Sequence, residues 1–143
     1  MAIWQFEFDV IPEKEKNHKE GAWKRNIISI ESLQYLEEIL PKEPSWTGDI
    51  CQYGKIDETC IEFFYDDNNL SDIHVKLDLR NLTKKHLSTI INFIKINDAV
   101  LMVNGCHVKP SLVDIAQEIK KSQAYRFIND PLETLLSGYG KDD

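Results

Sequence analysis

The residues with the most obvious aptitude for proton chemistry are His74 and the acids near it. In Asp72-Ile73-His74-Val75-Lys76-Leu77-Asp78, the polar residues fall on alternate positions. An extended strand places all of them on one face. A carboxylate beside an imidazole can orient it as a general base, which would be hydrolase chemistry. Salt and hydrogen bonding on a solvated strand face explain the same pattern without catalysis, and that reading is preferred. Cys106-His107 offers a thiol nucleophile or part of a metal site. Adjacent strand residues point to opposite faces, however, and no second ligand pair follows at a recognised spacing, so hairpin packing accounts for them. GxGxxG, GxxxxGK(S/T) and GxSxG are all missing and the glycines are scattered singly, which gives no phosphate loop or nucleophile elbow. No catalytic residue, metal ligand or cofactor is therefore expected. His18 and His86, among lysines, are expected on the surface.

Charge is the feature that stands out. The net charge is −7, and residues 49–79 carry Asp49, Asp57, Glu58, Glu62, Asp66, Asp67, Asp72 and Asp78 against Lys55 and Lys76 alone. Such a balance argues against nonspecific affinity for nucleic acid or an anionic membrane. These carboxylates fall in turns and at alternate strand positions and cannot all enter a core, so a negative patch is expected. It has two readings: a solvated face that maintains solubility, or a docking surface for a basic protein. On the second reading, Asp57, Glu58, Glu62, Asp66, Asp67, Asp72 and Asp78 contribute charge. Trp46 and Tyr53 flank the segment as interface anchors, unless they belong to the core.

The elements that would position these groups follow from periodicity. Trp4, Phe6, Phe8 and Val10 alternate with polar residues as a strand ending at Pro12. Residues 13–25 mix both charge signs around Gly21 and read as an exposed connection. Leu33, Leu36 and Leu40, with Ser29 or Ser32 as cap and Pro41 as stop, predict a helix over 30–40. A three-strand meander over about 49–55, 59–65 and 71–79 follows. The 71–79 strand should have a wet polar face. The 59–65 strand, apolar on both faces, is expected at the centre. Thr83 caps a helix whose stripe is Leu87, Ile90, Ile91 and Ile94. Residues 99–103 form a buried strand, and Asn104-Gly105 makes a type I′ hairpin into Cys106–Lys109. Ser111 and Asp114 resemble a capping box for a helix through Ile119, and Asp130-Pro131 opens a final turn or two before Gly138, after which 138–143 should fray.

At 143 residues, with 42% hydrophobic and 29% charged side chains, the chain has the size and composition of one globular domain. Strands grouped in the middle with helices around them indicate α+β: a mostly antiparallel sheet with three to four helices packed on it. Three cysteines without CxxC spacing suit reduced thiols used as small apolar side chains. The start lacks a basic n-region and no apolar run approaches a membrane span, so a soluble cytoplasmic protein is expected.

Ile3-Trp4-Gln5-Phe6, Pro44-Ser45-Trp46, Asp78-Leu79-Arg80 and Ala124-Tyr125-Arg126-Phe127 resemble a family of small uncharacterised bacterial proteins of about this length. In general character the chain is similar to the immunity proteins that neutralise bacterial toxins, many of which are basic nucleases. The resemblance implies a non-enzymatic binding protein with a basic partner, and it assigns no functional residue. Two other classes stay open: a small enzyme or ligand-binding domain with a pocket between sheet and helix, and a homo-oligomeric structural subunit marked by an exposed apolar patch.

Overall fold

The computed structural model describes residues 2–17, 20–45 and 47–136. The alternating start of the chain forms β1 (Gln5–Pro12), and two 3-10 turns (Glu13–Glu15 and Ala22–Arg25) lead from it to α1 (Ile30–Ile39). The order then runs β2 (Lys42–Glu43), β3 (Ile50–Tyr53), β4 (Cys60–Asp66), β5 (Asn69–Asp78) and α2 (Lys84–Ile96). It ends with β6 (Ala99–Val103), β7 (Cys106–Val108), α3 (Leu112–Lys121), α4 (Gln123–Asn129) and α5 (Pro131–Leu136). The side-chain hydroxyls of Ser29, Thr83 and Ser111 each accept the N–H three residues on, capping α1, α2 and α3. Asn104 and Gly105 both have positive φ, as a type I′ turn requires.

Among the described residues, all seven strands join one antiparallel sheet in the order β2-β3-β4-β5-β1-β6-β7, so the α+β class holds. β1 inserts between β5 and β6, far from both in the chain. The middle place therefore belongs to β5 and not, as expected, to β4, which lies one position away inside the sheet. The apolar character of β4 reports that it is interior and cannot report where a strand from the N-terminus will add.

One face of the sheet carries the core. Phe6, Phe8, Val10, Ile61, Phe63, Ile73, Val75, Leu77 and Leu101 meet the apolar stripes of α1 and α2, with Ile115 and Ile119 of α3 at the side. Each such side chain stabilises the fold by roughly 1.5–3 kcal/mol through burial. Tyr53, Phe63 and Phe93 form an edge-to-face chain, with ring centroids 5.4 and 5.8 Å apart, a geometry worth about 0.5–1.5 kcal/mol per pair beyond area.

Several expectations need correction. Residues 13–25 are not simply an exposed connection: Ala22 and Trp23 are buried, and the Trp23 indole N–H donates to the Val10 carbonyl at 2.7 Å. Among the described residues there are five helices, because Ser122 adopts an extended conformation, ends α3 and caps α4 through its hydroxyl. Seven residues make only about two turns, too few to develop a periodic signal for α4. Tyr53 is buried in the core and anchors no exposed surface. Cys60 is buried and Cys51 half-buried, but Cys106 is exposed. Trp46, His18 and the 138–143 tail lie outside the described residues.

Candidate functional site

The sheet face opposite the core carries the polar positions of β5 in one row: Asp72, His74, Lys76 and Asp78. Pairing on both sides of β5 decides what they meet. Asp9 of β1 and Glu62 of β4 lie across from His74, and Glu7 and Cys60 lie across from Lys76. His74 Nδ1 binds the Asp9 carboxylate at 2.8 Å and Nε2 binds Glu7 at 2.6 Å, while Lys76 Nζ sits 3.3 Å from Glu62. The partners of His74 are thus β1 carboxylates and not Asp72 or Asp78, as its own strand had suggested. Nor is this face simply wet, since Glu62 is buried and Lys76 nearly so.

Burial by itself would lower the His74 pKa, but hydrogen bonds to Asp9 and Glu7, with the charges of both, outweigh it and raise the pKa to about 9. The imidazolium that results donates both N–H groups. It has no lone pair with which to accept a proton, so the geometry does not supply a general base. Glu7 Oε2 is buried without a hydrogen-bond partner. Burial pushes the neighbouring Cys60 thiol up to about 12, helped by the Glu62 charge, which keeps it a thiol at neutral pH.

The ends of β5 repeat the arrangement around other cations. At the β4–β5 turn, Lys24 Nζ lies 2.7 Å from Asp66, and its pKa is raised by that hydrogen bond and charge, with Asp72 and Asp67 also contributing. Asp72 accepts the Gly21 N–H at 3.1 Å and the Ser71 hydroxyl at 2.5 Å. At the opposite end Asp78, only 1% exposed, receives the Arg80 guanidinium in bidentate fashion at 3.0 and 2.9 Å, plus the Arg80 N–H at 2.9 Å. The guanidinium lies 3.8 Å over the Trp4 ring and reaches the Asp57 carbonyl at 3.2 Å. Asp57 and Glu58 are exposed beside it.

The seven acids singled out from the sequence therefore do not form one uniform patch. Asp66, Asp67 and Asp72 gather near Lys24; Asp57, Glu58 and Asp78 gather near Arg80; Glu62 pairs with Lys76 between them. The physical cause is the cost of placing carboxylates against a packed sheet without counterions. Sequence reasoning missed Glu7, Asp9, Lys24 and Arg80. The alternation of β1 marked Glu7 and Asp9 as outward-facing, but nothing local indicated that β1 would lie beside β5.

Two further features complete the surface. His107 Nε2 lies 2.6 Å from the Lys16 carbonyl, and among the described residues no group of three or more His, Cys, Asp or Glu side chains is placed to hold a metal ion. His86, expected on the surface, is half-buried with Nδ1 sequestered and unpartnered. No helix among the described residues is long and apolar enough to cross a membrane. The sequence matched no protein family, no curated protein and no solved structure.

Proposed function

We propose that the chain is a non-enzymatic protein-binding module, of the immunity type, that docks a basic partner along β5. One observation carries this reading. From the Lys24 end to the Arg80 end, carboxylates (Asp66, Asp67, Asp72, Asp9, Glu7, Glu62, Asp78, Asp57 and Glu58) outnumber the cations (Lys24, His74, Lys76 and Arg80) interleaved with them. The exposed part of this excess is Asp9, Asp57, Glu58, Asp66 and Asp67, whereas Glu62 and Asp78 are buried in their ion pairs. A surface of this kind accelerates encounter with a positively charged protein and selects against acidic ones. The interleaved cations hold the carboxylates in fixed positions, so less side-chain freedom is lost on binding.

The test is capture from extract of the cells that make the protein, at low and high salt, with the native chain and with an Asp57→Lys/Asp66→Lys variant. Both positions are exposed, and circular dichroism would verify the fold of the variant. A basic protein retained at low salt by the native chain and lost by the variant is the expected result. Equal retention of that protein by both chains would overturn the reading.

A further inference from the structure

Beneath the C-terminal end of α1 lies a pocket of about 210 Å³, closed by the loop 54–59 and the first turn of α2. Ile39, Leu40 and Pro41 form an apolar wall; Glu43, Glu58 and His86 line the rest, with Asp78 among them and Lys55 exposed. The loop is built to this shape. Gly54 has φ +85°, and a Cβ there would meet the Thr59 carbonyl at 2.3 Å. Its N–H donates to the Pro41 carbonyl at 2.9 Å, tying the loop to the end of α1. The Gln52 side-chain amide donates to the Gly54 carbonyl at 2.8 Å, and the Asp78 N–H to the Thr59 hydroxyl at 3.0 Å.

The polar groups of this pocket are unequally committed. Asp78 is saturated by Arg80. The Glu43 and Glu58 carboxylates have no hydrogen bond or ion pair among the described residues, and His86 Nδ1 is buried without a partner. The uncommitted charge of the lining is thus mainly negative: the Glu43 and Glu58 carboxylates face one exposed lysine, Lys55, with Asn81 and the Thr59 hydroxyl as neutral polar groups. An anion is disfavoured here. Lys84 and Lys85, at the start of α2, do not line the pocket.

We propose that the pocket is a subsite for the guanidinium side chain of arginine. The methylene stem lies along Ile39, Leu40 and Pro41, and the planar head, with five donors in a fork, reaches Glu43 and Glu58 from different elements. His86, in its Nε2–H tautomer, adds a further acceptor. An ammonium group is a compact point charge and spans such separated acceptors less well. The arginine belongs to the basic partner docked along β5, whose Arg80 end adjoins the pocket, and to that extent the inference rests on the proposed function. Free arginine shares the head-group chemistry, and the experiment separates the two.

The experiment is a nitrogen-15 NMR titration of the whole chain with Nα-acetyl-arginine amide, Nα-acetyl-glutamine amide and free arginine. Saturable shifts of the Gly54, Thr59 and Asn81 amides and of the His86 ring nitrogens are expected with the blocked arginine. Affinity should fall about tenfold or more in a Glu43→Gln/Glu58→Gln variant whose other resonances are unmoved. Absence of saturation, equal shifts with the glutamine compound, or unchanged affinity in the double variant would overturn the subsite. Free arginine binding more than tenfold tighter than the blocked form would overturn its assignment to a partner's side chain. Because the titration uses no partner, its failure leaves the β5 reading standing. Loss of that reading in the Asp57→Lys/Asp66→Lys experiment likewise leaves the titration interpretable.

Discussion

Raising the pH through the alkaline range removes the proton that joins β1 to β5 at His74. In the unfolded chain this imidazole titrates near 6.5; in the fold it titrates near 9, because the bonds to Asp9 and Glu7 outweigh burial. The folded state binds the proton more tightly. The stabilisation is therefore fully present below about pH 6.5 and is lost as the pH rises through 9. At about 1.4 kcal/mol per unit, a shift of this size sets a ceiling of roughly 3 kcal/mol. The His74 side chain is 25% exposed but that of Asp9 is 58% exposed, so solvent screening reduces the expected loss to about 2 kcal/mol. The Cys60 thiol, held up to about 12 in the fold, ionises at about 8.5 once unfolded, so it lowers the stability of the native chain and of His74→Gln alike above that pH and cancels in the difference between them. Urea unfolding of the native chain and of His74→Gln at intervals from pH 6 to pH 9.5 reads the difference. The native chain should lose about 2 kcal/mol more than the variant over that range. Equal losses in both, or an NMR titration placing His74 at or below 6.5, would refute the argument.

Two further substitutions probe what holds the fold around the site. Lys76→Met leaves Glu62 buried without its counterion and should cost about 3 kcal/mol in denaturant unfolding, whereas Glu62→Leu/Lys76→Met should lie within about 1 kcal/mol of the native chain. A silent single variant would show that the pair carries no buried charge. Gly54→Ala must place a Cβ against the Thr59 carbonyl at positive φ, at a cost of about 2–4 kcal/mol. Gly48→Ala, with open space around it, should change stability by less than about 0.5 kcal/mol. Comparable thermal midpoints for the two alanine variants would contradict the loop geometry.

What was legible in the sequence is what is encoded within about four residues. The period of two in Trp4–Val10 and Ile73–Leu79, the 3.6-residue stripe Leu87–Ile94, the caps Ser29, Thr83 and Ser111, and the turn Asn104-Gly105 all express local geometry. Each led to an element at the expected place. The same alternation indicated which β5 side chains leave the core. It did not indicate their partners, since Glu7 and Asp9 reach His74 across 67 and 65 residues, through a strand pairing that no local preference encodes. Lys24 and Arg80 divide the acidic segment for a similar reason. A carboxylate placed against a packed sheet needs a counterion, and that counterion can come from any part of the chain the fold brings near. The composition determined by itself that this protein carries excess negative charge. Strand order and register, which arise only when distant segments bury their apolar faces together, decided where that charge lies and which carboxylates remain uncommitted.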